Sequence, residues 1–423
     1  MSVLGLDWNA TRVRAVLGAS GAYPMPLPLE PPALDLPLAI SLEKSVPTVG
    51  GFALRQCRTS AHLVCQAFLP HLSEQPGQGP RWQAGRHILD TRDACDLVWR
   101  KLSYLGASSQ GLVLSVPGYL APVQVEALRK LGERARLPVL GSAPTILTAA
   151  LAAYHPSPSK NEGWQRSVLV IDVDDHALTI GWVKALADKA HLLECRVFPT
   201  LGLVQWHERL IDALAELFVW HHRRDPRDVP AAEQSLYDQL EPLTDAFVKR
   251  QAIQIGVHCP QWFKHLLVHP DQTAQICQAH VRHAAHEVEC LLACWPAGES
   301  PRSIVVTHQA SRLPGLLDAL HSMVLPTTTS ETKLPQTKMT HYADEDFGDQ
   351  LMFPEHAEPG GVMVLTPEAP ARAAHGLAEL FRRGVLPAGH VETIVPLPRS
   401  QGSGVRNPGS GVKPHVGHLT PDS

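Results

Sequence analysis

Two stretches of the chain share one pattern of apolar and polar positions, and each predicts a β-hairpin. In the first, residues 3–6 are mostly apolar, residues 7–11 are turn-forming, and residues 12–17 alternate as a half-buried strand does. In the second, the apolar run is 168–171, the turn is 172–176, and the return strand is 178–183. The apolar strands deliver Asp7 and Asp172 into their turns, which is one way in which proteins build phosphate and metal sites.

The rest of the chain alternates between short apolar runs and helical periodicity, which predicts an α/β fold. Strands are predicted at 112–116, 137–140, 303–307 and 362–365. Helices are predicted at 91–105, 123–135, 143–154, 210–220, 236–252, 273–295, 315–323 and 372–383. The proline-rich stretch 23–37 predicts an edge or a loop, because proline cannot donate to a β-ladder. The polar stretch 326–360 predicts an extended loop, and the Gly-, Ser- and Pro-rich sequence from 394 onward predicts a disordered tail.

Composition narrows the class of protein. The 423 residues are 44% hydrophobic with a net charge of -4, so the charge gives no reason to expect binding to nucleic acid or to an acidic membrane. No run approaches the roughly 18 apolar residues of a membrane span, and no secretory signal pattern is found at the N-terminus. The eight cysteines form no CxxC pair, which is typical of reduced thiols in the cytosol. We therefore expect a cytoplasmic protein that could bind other proteins; its oligomeric state is left open.

One cluster of metal-ligating residue types lies on a predicted helix. His283, His286, Cys290 and Cys294 are spaced three, four and four apart, so they share one helix face. Histidine and cysteine are good zinc ligands. A single helix, however, offers only two neighbouring side chains to one tetrahedral metal, and cysteines are ordinary core residues. The pattern alone therefore favours structural residues over a metal site.

Spaced identities along the chain carry a family resemblance. In chain order they are Val49, Gly50, Ala53 and Gln56; Leu114-Ser-Val-Pro-Gly-Tyr119; Gln124, Ala127, Gly132 and Ala135; Leu137, Val139, Leu140, Pro144 and Thr145; Ala149, Ala150 and Leu151; Leu201, Gly202, Arg209 and Leu210; Ser311-Arg-Leu-Pro314; and Ala374-His-Gly-Leu-Ala378. The chain resembles the nucleotide-binding domain of the 70-kDa heat-shock chaperones (the DnaK type), within the actin and sugar-kinase superfamily. The likeness spans about residues 2–383.

The resemblance implies an actin-like ATPase fold of two lobes, each built on a ribonuclease-H-like mixed sheet with flanking helices. Lobe I would be 1–154 with the first phosphate hairpin. Lobe II would be 155–393 with the second hairpin, the adenosine turn at Ser311–Pro314 and the closing helix that contains Ala374–Ala378. A disordered tail would follow at 394–423. The family's peptide-binding domain is not expected, because only some forty residues follow the resemblance.

The resemblance also implies a site. ATP or ADP with Mg²⁺ would lie in the cleft between the lobes, in contact with Asp7, Thr11, Asp172 and Arg312. Asp7 and Asp172 would be the Mg²⁺ ligands and, by resemblance, the catalytic carboxylates.

The motifs of that site depart from the family pattern. The first hairpin reads Asp7-Trp-Asn-Ala-Thr11 where the family has D-L-G-T-T, and the second reads Asp172-Val-Asp-Asp-His176 where the family has D-L-G-G-G. Glycine is needed where backbone must approach a phosphate without a Cβ in the way. Asp174 and Asp175 are interpreted as solvated turn residues that add repulsive negative charge. The catalytic lysine is also missing, since there is no lysine between Lys44 and Lys101.

Two hypotheses from different classes follow. The first is a chaperone-type protein that binds ATP and hydrolyses it weakly or not at all. The second is a pseudo-ATPase that keeps the fold as an interaction or scaffold protein without nucleotide. A sugar-kinase-like phosphotransferase is a third, weaker alternative, because nothing in the sequence marks a sugar pocket.

Overall fold

The computed structural model is a mixed α/β protein with two large sheets. It describes residues 2–19, 22–73, 75, 77, 79–154, 167–294, 303–324, 361–387 and 389–397. The strands of this part are β1 Ser2–Trp8, β2 Arg12–Ala19, β3 Met25–Leu27, β4 Asp35–Pro37, β5 Ile40–Ser41, β6 Thr48–Val49, β7 Val64–Cys65, β8 Trp82–Ala84, β9 His87–Leu89, β10 Leu112–Val116, β11 Val139–Pro144, β12 Ser167–Val173, β13 Leu178–Leu186, β14 Lys189–Phe198, β15 Ile253–Cys259, β16 Trp262–Val268, β17 Ser303–Val306, β18 Val362–Val364, β19 Gly389–His390 and β20 Ile394–Pro396.

Helices flank the sheets and connect their parallel strands. They are α1 Gly51–Leu54, α2 Thr91–Leu102, α3 Pro122–Arg134, α4 Thr145–Ala152, α5 Leu203–His222, α6 Pro230–Tyr237, α7 Leu240–Val248, α8 Pro270–Ala293, α9 His308–Ser311, α10 Leu316–Val324 and α11 Ala369–Arg382. The start of α2 is fixed as predicted, because Asp90 caps it and forms a capping box with Asp93.

The two large sheets are built around the same kind of hairpin. The first runs β19-β11-β10-β1-β2-β3, with β4 also paired to β2, and the second runs β18-β17-β12-β13-β14-β20. The antiparallel hairpin (β1–β2 or β12–β13) is extended on its first strand by parallel strands, three in the first sheet (β10, β11 and β19) and two in the second (β17 and β18). The predicted hairpins at 3–17 and 168–183 are confirmed, and each is the centre of its sheet.

Helices α4 and α11 join the two sheets. Helix α4 follows β11 of the first sheet but packs on β12, β13 and β14 of the second. Helix α11 follows β18 of the second sheet but packs on β1, β2, β10 and β11 of the first. Glycines allow the close approach: a Cβ on Gly5 would lie 2.0 Å from the Ala371 carbonyl oxygen, and one on Gly181 would lie 2.2 Å from Ile146 Cγ2. A core cluster with side chains from both sheets surrounds the two helices.

Several sequence predictions need correction. The single helix predicted at 236–252 is instead the end of α6 and the separate helix α7, and the hairpin β15–β16 that follows it was not predicted. Strand β14 was also not predicted. The tail predicted from 394 begins later, because Ile394–Pro396 pairs with β14 and buries Val395 completely. The rest of the predicted tail and the loop predicted at 326–360 lie outside the described residues.

Candidate functional site

The turns of the two central hairpins meet where the two sheets approach each other. In the first turn, the Asn9 side-chain oxygen accepts the backbone N–H groups of Thr11 and Arg12, both at 3.0 Å. This Asx-type geometry tightens the turn and leaves the Ala10 N–H directed away from it, toward the second hairpin. The first turn thus presents a backbone donor to the opposite sheet.

The carboxylate of Asp174, in the second turn, receives that donor. Its Oδ2 accepts the backbone N–H of Ala10 at 2.9 Å and the Tyr119 hydroxyl at 2.6 Å. Its Oδ1 accepts the backbone N–H groups of His176 at 3.0 Å and Ala177 at 3.1 Å. Two oxygens with two donors each is the arrangement that an ionised carboxylate satisfies best. Asp174 therefore holds together residues that are more than 160 positions apart.

The interpretation of Asp174 and Asp175 as solvated turn residues is wrong. The side chain of Asp174 is only 3% exposed. Asp175 accepts the Thr11 hydroxyl at 2.9 Å, and its own N–H donates to that same hydroxyl oxygen at 2.9 Å. Thr11, a predicted nucleotide contact, is thus paired with the second turn. A polar turn looks solvated in sequence because the donors that cover it come from a distant segment.

Asp7 and Asp172 lie at the corresponding ends of β1 and β12. Asp7 is 3% exposed, and its Oδ1 has no hydrogen-bond partner. Asp172 accepts the hydroxyl of Thr307 at 2.8 Å. Burial raises the pKa of Asp7 to about 6, against the lowering effect of Arg14. Burial raises the pKa of Asp172 to about 7, with the Asp7 carboxylate adding to the shift. The two predicted Mg²⁺ ligands are therefore close enough for the charge of Asp7 to disfavour ionisation of Asp172.

Arg312, a predicted nucleotide contact, is bonded to helix α7. Its side chain is 8% exposed, and its guanidinium bonds to helix α7 through Asp245 Oδ1 at 2.8 Å, Glu241 Oε1 at 3.2 Å and Thr244 Oγ1 at 3.2 Å. A guanidinium held by three partners is fixed in place. In this arrangement Arg312 anchors α9 to α7.

Arg12 makes a second link between the sheets. It forms a 2.6 Å ion pair with Asp35 and also reaches Glu241 Oε1 at 3.5 Å and the Gln309 side-chain oxygen at 3.2 Å. It is largely buried, with a side-chain exposure of 14%. In the sequence, Arg12 is only a polar position of a predicted strand. The alternation of polar and apolar residues predicts the face of the sheet on which its side chain lies, but not the residues that it contacts.

Arg58 makes a third link, away from the turns. Its guanidinium pairs with Glu208 and, at 3.1 Å, with Glu233. Its backbone N–H donates to the Gln234 side chain at 2.7 Å, and its guanidinium lies 4.9 Å from the ring centroid of Tyr237. The segment after α1 is thereby attached to α5 and α6. No motif in the sequence signalled this contact.

The residues at the junction do not fit a bound MgATP in this arrangement. The Ala10 N–H, the donor of the first turn that points into the junction, is taken by Asp174. Four carboxylates, Asp7, Asp172, Asp174 and Asp175, would face the polyphosphate. The carboxyl groups of Asp7 and Asp172 are suitable ligands for a cation. The backbone N–H of Ala10, which would have to bind a phosphate, is instead hydrogen-bonded to the Asp174 side chain.

The interpretation of the His/Cys cluster as core residues is wrong, because His283, His286 and Cys294 are exposed and Cys290 is partly exposed. Cys290 Sγ lies 3.5 Å from His286 Nε2, whereas His283 pairs with Glu287 at 3.5 Å and Cys294 lies 3.7 Å from an Arg196 nitrogen. Within the described ranges, no group of three or more His, Cys, Asp or Glu side chains is placed to hold a metal ion.

Comparison with known proteins does not assign the chain to a family. No protein-family model matches the chain, and a search of curated proteins finds no match. In the part of the chain that the structure describes, no helix is long and apolar enough to cross a membrane.

Proposed function

We propose that the chain is an actin-like protein of the 70-kDa chaperone type that works as a pseudo-ATPase, an interaction protein whose cleft is closed by its own side chains. Two sheets, each with a central antiparallel hairpin extended by parallel strands and each followed by a helix that packs on the other, support the two-lobed fold. The proposal that the cleft is closed depends on the contacts of Asp174. Its carboxylate is the acceptor for donors from both turns and from Tyr119.

Asp174 acts as an internal anion. A nucleotide phosphate would have to displace a carboxylate that already satisfies four donors, and it would then face the like charge of that carboxylate. The links through Arg12 and Arg58 add to the closure. With the lysine and the hairpin glycines also absent, the chain lacks the groups that would stabilise phosphoryl transfer.

The ATP-binding alternative is supported by one observation. Asp7 is buried and Asp172 is partly buried, both carboxyls have raised pKa values, and Asp7 Oδ1 has no partner. Strongly perturbed carboxyls of this kind are typical of functional sites. For this alternative to hold, the Asp174 contacts must open when nucleotide arrives.

Isothermal titration with ATP and with ADP, each with Mg²⁺, tests the proposal on the full chain. We expect no heat of binding and no thermal shift at millimolar nucleotide. The variant Asp174→Ala, in which the internal carboxylate is removed, is titrated beside the wild-type chain. Saturable heat and a raised melting temperature for the wild-type chain would contradict the proposal and support the ATP-binding alternative.

A further inference from the structure

The hairpin β15–β16 has one covered edge and one open edge. Along β15 the protein supplies its own cover, because the Gln239 side chain accepts the Gly256 N–H at 2.9 Å and donates to the Gly256 carbonyl. Strand β16 pairs only with β15 among the described residues, and its outward carbonyl at His265 accepts the His222 side chain at 2.9 Å. An open strand edge is a template on which another backbone segment can bind.

The register of the hairpin shows which backbone groups of β16 point outward. Gly256 lies opposite His265 in the antiparallel ladder, and the backbone groups of Gly256 point away from β16. Because antiparallel pairs alternate between facing and outward positions, the backbone groups of Phe263, His265 and Leu267 point away from β15. Within the described part of the chain, the N–H groups of these three residues have no acceptor. The edge therefore offers three donors to an incoming segment.

The side chains of the same strand form an apolar and basic surface. Phe263 is 60% exposed and Leu267 is 56% exposed, and the Phe263 ring centroid lies 6.3 Å from that of His265. Lys264 is exposed on the same strand. The sequence around the hairpin, residues 246–270, contains no aspartate or glutamate. Charge complementarity therefore favours an occupant that is acidic and that also carries apolar side chains.

One segment of this chain, outside the described residues, has that composition. Residues 339–371 contain no lysine or arginine, and residues 344–353 read Asp-Glu-Asp-Phe-Gly-Asp-Gln-Leu-Met-Phe. Residues 325–343 connect this segment to α10, and residues 354–361 connect it to β18. The shorter connection can span about 30 Å, the diameter of a small domain. Because α10, β18 and the hairpin contribute to one core cluster, the segment can reach β16.

We propose that the acidic segment 344–353 binds along the open edge of β16. Its backbone carbonyls would accept the outward N–H groups of the strand, which supplies the affinity. Its carboxylates would lie near Lys264 and His265, and its phenylalanines would cover Phe263 and Leu267, which supplies the specificity. Binding there would also keep the edge from pairing with other chains. The proposal is independent of what the cleft binds.

The test measures hydrogen exchange at the Phe263 and Leu267 amides in the full chain, at low salt. We expect slow exchange in the wild-type chain, because the bound segment supplies acceptors to both amides. A quadruple variant, Asp344→Asn, Glu345→Gln, Asp346→Asn and Asp349→Asn, keeps the length and the apolar residues of the segment but removes its charge. It should raise the exchange rate of both amides by about tenfold or more. Lys264→Glu, on the other side of the contact, should raise it by about threefold or more.

Matched control variants make the same charge changes beside the contact. Lys249→Glu reverses an exposed lysine just before the hairpin, and Glu355→Gln with Glu358→Gln neutralises two carboxylates beyond the segment. Both controls should keep the slow exchange, and unchanged circular dichroism will show that all variants fold. Fast exchange in the wild-type chain, or equal effects in test and control variants, would overturn the proposal. Slow exchange that persists in the quadruple variant, or that appears only as the protein concentration rises, would assign the edge to another segment or to a second copy and would also overturn it.

Discussion

Replacement of Asp174 by asparagine tests the contact on which the closed junction depends. Asparagine keeps the shape of the side chain, and its Oδ1 can still accept the N–H groups of His176 and Ala177. Its NH₂ group, however, faces the N–H of Ala10 and the hydroxyl of Tyr119, which now lack an acceptor. The tyrosine hydroxyl can rotate and accept instead, but the Ala10 N–H cannot.

The expected loss of stability follows from these contacts. A buried donor left without a partner costs about 1–3 kcal/mol. The asparagine avoids the desolvation of a buried carboxylate, which raises the pKa of Asp174 and offsets part of the loss. We therefore expect Asp174→Asn to lower the free energy of unfolding by about 2 kcal/mol. Tyr119→Phe should cost about 1.5–3 kcal/mol, as for a hydrogen bond to a charged acceptor.

The assay is urea unfolding of the wild type, both single variants and the double variant. Because the two side chains share one hydrogen bond, the double variant should lose less than the sum of the singles, with a coupling of about 1–2 kcal/mol. Asp175→Asn is the matched control: Thr11 can still donate to its amide oxygen, so the loss should stay below about 1 kcal/mol. A fully stable Asp174→Asn variant, or additive single effects, would refute the reasoning.

Three further predictions concern pH, the Arg58 link and the packing of α11. The pKa values of Asp7, Asp172 and Asp175 are raised from 3.8 to about 6, 7 and 6, so these carboxyls keep their protons in the folded chain after the unfolded chain has lost them. Their contribution to stability is complete below pH 3.8 and is lost as the pH rises through 6 to 7. The free energy of unfolding should therefore fall from about pH 4 to about pH 7, less steeply in Asp172→Asn, and a flat profile in the wild type would contradict the shifts. Arg58→Ala should lower the free energy of unfolding by only about 1–2 kcal/mol, because its ion pairs are partly exposed. It should nevertheless increase hydrogen exchange in α6. Unchanged exchange in α6 would show that Arg58 does not hold that helix in place. Gly5→Ala should destabilise the fold by about 3 kcal/mol, because its Cβ would meet the backbone of α11. Gly376 lies on α11 itself, a Cβ there meets nothing within 4 Å, and Gly376→Ala should stabilise the fold by up to about 1 kcal/mol. Thermal unfolding compares the two variants, and equal effects would contradict the packing.

The central elements of the fold could be predicted because their signals are local. The hairpin at 3–17 shows its period, its turn and its terminal aspartate within fifteen residues. The helix after Asp90 shows its cap. The segment at 236–252 was predicted as one helix because a helical spacing continues across the end of α6 and α7, and nothing local marks the break between them. Strand β14 was missed because its residues follow no clean alternation.

The candidate site was only partly predictable, for a different reason. The sequence identified Asp7, Thr11 and Asp172 through the repeated pattern and the resemblance. It did not show what Asp174 contacts, because the Ala10 N–H and the Tyr119 hydroxyl are supplied by segments far away in sequence. It placed Arg312 on a turn, but its binding to α7 depends on how two helices pack. Burial and distant partners, which decide the chemistry here, are properties of the folded chain.

Hydrogen exchange at the Ala10 amide tests the central claim most directly. If Asp174 is the internal acceptor, this amide is protected in the wild-type chain without nucleotide. Millimolar MgATP leaves the protection unchanged, and Asp174→Ala abolishes it. Rapid exchange of the Ala10 amide in the free protein, with protection that appears only when MgATP is added, would contradict the account and assign the junction to nucleotide.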